Sequence, residues 1–152
     1  MPNFQVSPHL VLFFVCEDAA VDSPKDTLDL KFGWWDIHKP LYHVYMPAGI
    51  QKGFGTPELC LYYQMSGGTG DYNCMVEMHQ LDLAVPKKNK LWYWTKPFAV
   101  HCPDQLAVVE DAVVLEQVIF PTPGLYQFRM KEGGRVLSGG ECYLKVFAGV
   151  SQ

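Results

Sequence analysis

Residues 118–128, which read V-I-F-P-T-P-G-L-Y-Q-F, constrain the fold of this chain more than any other stretch. The three residues before Pro121 are apolar and suit the end of a strand. Pro121 and Pro123 fix their own φ angles and favour extended backbone in the residue before each. Gly124 can adopt the positive φ that a reversing turn often needs. In the last four residues, Tyr126 and Phe128 alternate with Leu125 and Gln127, which is the pattern of a half-buried strand. This segment predicts a strand, a rigid corner and a second strand, which is typical of late strands in β-sandwiches.

Short strand patterns recur along the rest of the chain, with turn signals between them and no segment of helical periodicity long enough for a confident helix. The Gly-rich loop 66–71 predicts a hairpin between two of these strands. The clearest strand patterns are Leu10–Cys16, Thr27–Phe32, Leu59–Met65, Tyr72–Leu83 and Cys142–Phe147. We therefore predict a single all-β domain over residues 1–152, built as an antiparallel β-sandwich of seven to nine strands, immunoglobulin-like or related.

Composition and charge disfavour several classes of protein. Hydrophobic residues make up 49% of the chain and charged residues 18%, which is typical of a folded domain. The net charge is −4 and the 12 Lys and Arg residues are scattered, so no nucleic-acid partner is predicted. The apolar run Leu10–Cys16 is too short for a membrane span and, closed by Glu17 and Asp18, has the wrong flanks for a signal peptide. These features predict a cytoplasmic protein.

The five cysteines, Cys16, Cys60, Cys74, Cys102 and Cys142, form an odd set without close spacing. Reduced, mostly buried thiols are the simplest interpretation. The chain has no C-x-x-C, so a structural zinc site is not predicted. A cysteine nucleophile needs a neighbouring base, but neighbours on an extended chain, such as His101 and Cys102, point to opposite faces. We predict no catalytic residue and no cofactor.

Histidine and glutamate offer one weak metal-site pattern. Glu77 and His79 are two residues apart on one predicted strand, so their side chains share a face, and His101 or His43 could join them. The chain has no H-x-H, and such spacings are not specific. No metal is predicted; if one binds, Glu77, His79 and His101 are the candidate ligands.

The tryptophans form the most suggestive group: Trp34 and Trp35 in one aromatic stretch, Trp92 and Trp94 in another. Alternation predicts that Trp92 and Trp94 share a face, with Tyr93 on the other. One set of rings would pack in the core and the other would be exposed. Because an exposed aromatic patch often marks a partner, we predict that Trp34, Trp35, Trp92 and Trp94 form a binding surface.

Three segments form a recognisable pattern: 12–18 (L-F-F-V-C-E-D), 61–72 (L-Y-Y-Q-M-S-G-G-T-G-D-Y) and the corner segment 118–128. In these segments the chain resembles a family of small, uncharacterised bacterial β-sandwich proteins, known only as a domain of unknown function. The aromatic stretches 33–35 and 91–94 are not part of that pattern. The resemblance implies a sandwich fold and a bacterial, intracellular setting, and it implies no activity and no site residues.

These observations predict a non-enzymatic intracellular binding module that contacts a protein partner or itself, as a homo-oligomer, through its aromatic surface. A small-molecule ligand is left open. One alternative is a small metal-dependent β-barrel enzyme or ligand-binding protein that uses Glu77, His79 and a third ligand such as His101. Another is a structural subunit of a larger assembly, in which edge strands would pair between copies.

Overall fold

The computed structural model describes residues 6–21, 29–32, 35–46 and 54–148. The described residues contain no α-helix. They contain a single 3-10 turn, Pro86–Lys88, which precedes the seventh strand. The eleven strands are β1 (His9–Val21), β2 (Asp29–Phe32), β3 (Trp35–Leu41), β4 (His43–Met46), β5 (Phe54–Ser66), β6 (Gly70–Leu81), β7 (Lys90–Trp94), β8 (Phe98–Cys102), β9 (Val109–Phe120), β10 (Gly124–Glu132) and β11 (Arg135–Ala148).

The predicted all-β class is confirmed. Of the eleven strands, β2 and β4 have only four residues each, so nine have five residues or more. The sheet is mixed, because β11 runs parallel to both β1 and β4. The prediction of a purely antiparallel sheet is therefore wrong at these two pairings. Side-chain alternation reports which face a residue occupies, and it carries no information on the direction of the neighbouring strand.

The strands form two half-sheets. The first has the order β2-β3-β1-β5-β9, and the second has the order β4-β11-β10-β6, with β7 and β8 both paired to β6. They meet where β1 runs beside β11, with His9 opposite Ser138. At this junction Gly139 has a φ of +73°, and a Cβ there would clash with the carbonyl oxygen of Leu10. The junction therefore needs glycine at this position.

The two half-sheets are parts of one continuous sheet, and residues of both belong to one hydrophobic core. Leu61 and Tyr63 of β5 belong to the same buried cluster as Met78 of β6, Phe128 of β10 and Leu144 of β11. Because alternate residues of each strand enter this cluster, the opposite faces of these strands are left to form surfaces of their own.

A second, smaller cluster covers the other face of the first half-sheet. It contains Cys16, Cys60 and Tyr62, with Leu12 and Phe14 packed against it. We call it the outer apolar cluster. The Tyr62 hydroxyl donates to Glu110 Oε2 at 2.7 Å, and its ring lies 5.3 Å from that of Phe14. Burial, helped by the hydrogen bond to Glu110, raises the pKa of Tyr62.

The strand–corner–strand prediction is confirmed, since β9 ends at Phe120 and β10 begins at Gly124. Tyr126 fixes the corner: its buried hydroxyl donates to the carbonyl oxygen of Thr122 at 2.6 Å and accepts from the Thr122 amide at 3.4 Å. The Tyr126 ring packs edge-on against Phe120, with centroids 4.9 Å apart. A tyrosine hydroxyl bonded to backbone four residues upstream ties the two strands to one turn geometry.

The predicted hairpin between Leu59–Met65 and Tyr72–Leu83 is wrong. Within the described ranges β5 pairs with β1 and β9, whereas β6 pairs with β10, β7 and β8. The Gly-rich loop instead carries the chain from one half-sheet to the other. Both strands supply residues to the same core, so their apolar patterns are alike although they do not pair.

No helix in the described part of the chain is long and apolar enough to cross a membrane.

Candidate functional site

The face of the second half-sheet that points away from the core carries a polar centre with aromatic edges. Two rows of cross-strand neighbours run over it from β11 to β7. We call this surface the polar face. The first row is Tyr143, Gln127, His79 and Leu91, and the second is Glu141, Arg129, Glu77 and Trp94.

Glu77 is the acceptor at one side of this centre. Its carboxylate lies 2.8 Å from His79 Nε2 and accepts a hydrogen bond from Lys131 Nζ at 3.1 Å. Burial alone would raise the pKa of Glu77, but the bonds from His79 and Lys131 outweigh burial and lower it. The carboxylate is therefore ionised and paired at neutral pH.

Gln127 holds the other side of the polar centre together, and its side chain is only 5% exposed. Its amide nitrogen donates to Glu141 Oε2 at 3.1 Å and to the Tyr143 hydroxyl at 3.0 Å. Its amide oxygen accepts from Arg129 Nε. Each hydrogen-bonding atom of this amide thus has a partner, which makes the centre a fixed network rather than a loose group of charges.

Large side chains are exposed at both edges of the polar face. Trp94 is 62% exposed on β7, beside Leu91, and Tyr143 is 49% exposed on β11. Beyond β11, Tyr45 stacks on Phe147 with centroids 5.4 Å apart. Apolar groups of this size lose water readily when a partner covers them.

Trp92 and Trp94 do not share a face, in contrast to the prediction. The register between β6 and β7 shifts between Met78 and His79, so that Leu91, and not Trp92, lies opposite His79. The Trp92 indole instead donates to the side chain of Gln80, which follows Met78 on the other face. A β-bulge at Trp92 causes this change, because one extra residue on β7 breaks the alternation.

Trp34 and Trp35, the other predicted aromatic pair, are described only in part. Trp34 lies outside the described residues. Trp35 begins β3 in the first half-sheet, paired with Phe32 and Val21, and only its backbone is described. Of the two predicted tryptophans whose side chains the structure describes, Trp94 lies on the polar face and Trp92 does not.

The three candidate metal ligands are only partly brought together. Glu77 and His79 are in contact, but His101 lies on β8, where its Nδ1 is 2.7 Å from Asp71 Oδ1. Asp71 is six residues from Glu77 along β6, which corresponds to about 20 Å of strand. Among the described residues, no group of three or more metal-ligating side chains is present.

The cysteines have the character of packing residues. All five are buried thiols. Burial raises the pKa of Cys102, and burial with the nearby charge of Glu132 raises the pKa of Cys74 to about 11. Both are therefore protonated at neutral pH, whereas a nucleophile needs the thiolate.

Trp94 also borders a cleft of about 640 Å³ between the β7–β8 connection and β9. The hydroxyl of Tyr93 closes part of it by donating to the carbonyl oxygen of Glu116 at 3.2 Å. Gln117, in the wall of the cleft, has a φ of 55°, which is uncommon outside glycine. Trp94 is thus accessible from two sides.

Sequence reasoning missed Gln127, Arg129, Glu141 and Tyr143. The alternation of β10 and β11 already separates these residues from the buried Phe128 and Leu144, and this signal could have identified the face. Their contact with Glu77 and His79, however, depends on the β6–β10–β11 register. No protein-family model matches the chain, and no curated protein shows significant similarity to it.

Proposed function

We propose that this is a non-enzymatic binding protein whose polar face contacts another protein or a second copy of itself. One observation carries the proposal: Trp94 and Tyr143 are exposed at opposite edges of a face whose central polar groups are already paired. Trp, Tyr and Arg are the residue types that contribute most to protein interfaces, and the polar face presents all three. A partner could cover its edges without leaving the central charges unpaired.

The electrostatics of the polar face support binding over catalysis. A general acid at neutral pH needs a carboxyl group of raised pKa, whereas the pKa of Glu77 is lowered by His79 and Lys131. The hydrogen bonds to Gln127 hold Arg129 and Glu141 in place. Such a network gives a partner a fixed pattern of donors and acceptors to match.

Site-specific photo-crosslinking tests the proposal. A photoreactive phenylalanine analogue replaces Tyr143 in one variant and Leu106, which is exposed in the β8–β9 turn, in the control. Both are expressed in the native cells and irradiated. We expect a discrete product at position 143 that is absent at position 106 and lost when Trp94→Ala is added. A product of twice the chain mass would identify self-association.

Equal products at both positions, or a product that survives Trp94→Ala, would refute the polar face as the interface. The absence of any product at position 143, with the protein folded and expressed, would do the same. Trp94 is exposed and packs in no core cluster, so the substitution leaves the fold intact.

For the architecture, we propose that the two half-sheets form an immunoglobulin-like sandwich related to the bacterial family that the sequence resembles. Two observations support this: residues of both half-sheets share one core, and Tyr126 bonds back to Thr122 as in the tyrosine corner of such sandwiches. The buried thiols are compatible with a reducing compartment, and we propose the cytoplasm.

A further inference from the structure

A second cavity, of about 620 Å³, lies where the β6–β7 connection meets the corner between β9 and β10. We call it the lysine cleft. Its walls include Lys88, Lys90 and Lys145, together with Thr122 of the corner. It is a separate cavity that adjoins the polar face: Lys145 lies two residues from Tyr143 on β11, and neither Trp94 nor Tyr143 lines the cleft.

The lysine cleft carries an excess of positive charge on a chain whose net charge is −4. In the part of the chain that the structure describes, none of its three lysines forms an ion pair with a carboxylate. The one acidic residue in the walls, Asp82, uses its carboxylate to accept from the amides of Ala84 (3.1 Å) and Val85 (2.9 Å) within its own loop. The ammonium groups are therefore left for an external anion.

Aromatic rings position two of the lysines without neutralising them. Lys90 Nζ lies 5.7 Å from the centre of the Trp92 ring, and Lys145 Nζ lies 5.0 Å from that of Phe147. A cation over a ring face is held by the ring quadrupole and keeps its full charge. This arrangement reduces the freedom that each side chain would lose when a ligand binds.

Gln80 makes one wall of the cleft rigid. Its amide oxygen accepts from Trp92 Nε1 at 3.0 Å, and its amide nitrogen donates to Thr122 Oγ1 at 2.9 Å. A side chain at position 124 would put a Cβ 3.0 Å from that nitrogen, so Gly124 leaves room for the hydrogen bond between Gln80 and Thr122. Because Thr122 Oγ1 accepts from Gln80, its own proton remains available to donate.

From this geometry we propose that the lysine cleft binds a small molecule that bears a phosphate group. Phosphate carries nearly two negative charges and several strong acceptor oxygens close together. Three lysines and the Thr122 hydroxyl supply donors of matching charge and number. A singly charged carboxylate would leave most of this charge unmatched.

Isothermal titration calorimetry with inorganic pyrophosphate at low ionic strength tests the proposal, with citrate as a second anion of similar charge. The test variant is Lys90→Gln with Lys145→Gln. The control is Lys96→Gln with Arg135→Gln, which removes the same charge at two exposed positions outside the cleft. We expect pyrophosphate to bind the wild-type protein, and the affinity to fall roughly tenfold or more in the test variant but to change less than about twofold in the control.

Each other outcome overturns part or all of the proposal. Equal weakening in both double variants would mean general attraction to charge rather than a site, and no binding by the wild-type protein would remove the site altogether. Tighter binding of citrate than of pyrophosphate would reject phosphate as the ligand class. Because the test variant leaves Trp94 and Tyr143 in place, failure here would not affect the crosslinking result expected at the polar face.

Discussion

The two half-sheets use the faces that point away from the common core in opposite ways. On the first, the outer apolar cluster buries Tyr62 completely, and its hydroxyl bonds to Glu110. On the second, Tyr143 remains half exposed at the edge of a polar network, and its hydroxyl accepts from Gln127. The same residue type in the same kind of strand thus has a core role on one face and a surface role on the other.

A polar surface can thus be as ordered as an apolar one. The outer apolar cluster is held by packing, whereas the polar face is held by hydrogen bonds among Glu77, Gln127 and their neighbours. The first arrangement stabilises the fold. The second leaves large rings free to lose water against a partner, and so suits binding.

Removal of the two tyrosine rings, one from each face, is expected to give the largest difference in stability. We expect Tyr62→Ala to lower the free energy of unfolding by about 3–5 kcal/mol, because it removes a fully buried ring and leaves a cavity. Tyr143→Ala should lower it by less than about 1 kcal/mol. Urea denaturation of both variants measures the difference, and similar losses would show that the two faces do not differ as described.

A second substitution tests whether the polar centre depends on its amide. Gln127→Leu keeps the size of the buried side chain but removes both donors and the acceptor, leaving Arg129, Glu141 and Tyr143 short of a partner. We expect a loss of about 1–3 kcal/mol, measured by the same denaturation. An unchanged or increased stability would mean that packing alone holds this face.

The contribution of Glu77 to stability is expected to depend on pH. Because the pKa of Glu77 in the folded state lies below its ordinary value of about 4.3, its contribution is complete above that pH and is lost as the pH falls through the folded pKa. Glu77→Gln should remove about 1 kcal/mol of stability at neutral pH and little at low pH. Thermal unfolding from neutral to acid pH measures this, with Glu116→Gln as an exposed control outside the polar face; equal profiles for wild type and Glu77→Gln would contradict it.

The smallest expected effect on stability is that of Trp94→Ala. Its ring is mostly exposed and lies outside the core clusters, so we expect a change of about 0.5 kcal/mol or less in the free energy of unfolding. Trp94→Ala should nevertheless abolish the crosslink from position 143. A large loss of stability would place this ring with the core residues and remove it from the proposed interface.

Alternation and turn chemistry were sufficient to predict the strand-rich class and the corner at Pro121–Gly124. They could not predict which strands pair, and the proposed hairpin between β5 and β6 failed because both strands carry the same apolar pattern toward one core. The contact between Glu77 and His79 could be predicted from their spacing alone. The placement of Trp92 and Trp94 on different faces could not be predicted, since K-L-W-Y-W contains no Gly or Pro to signal a bulge.

The bulge at Trp92 has a further consequence for how the molecule can be observed. It directs two indoles of one five-residue strand to different surfaces, Trp92 beside Gln80 and Lys90 and Trp94 at the polar face. Because the chain also contains Trp34 and Trp35, two variants that replace both of these and either Trp92 or Trp94 by phenylalanine would each retain a single indole as an intrinsic fluorescence reporter. Occupancy of the lysine cleft, through the contact of Trp92 with Lys90, and of the polar face could then be followed separately in the two variants, without an added label.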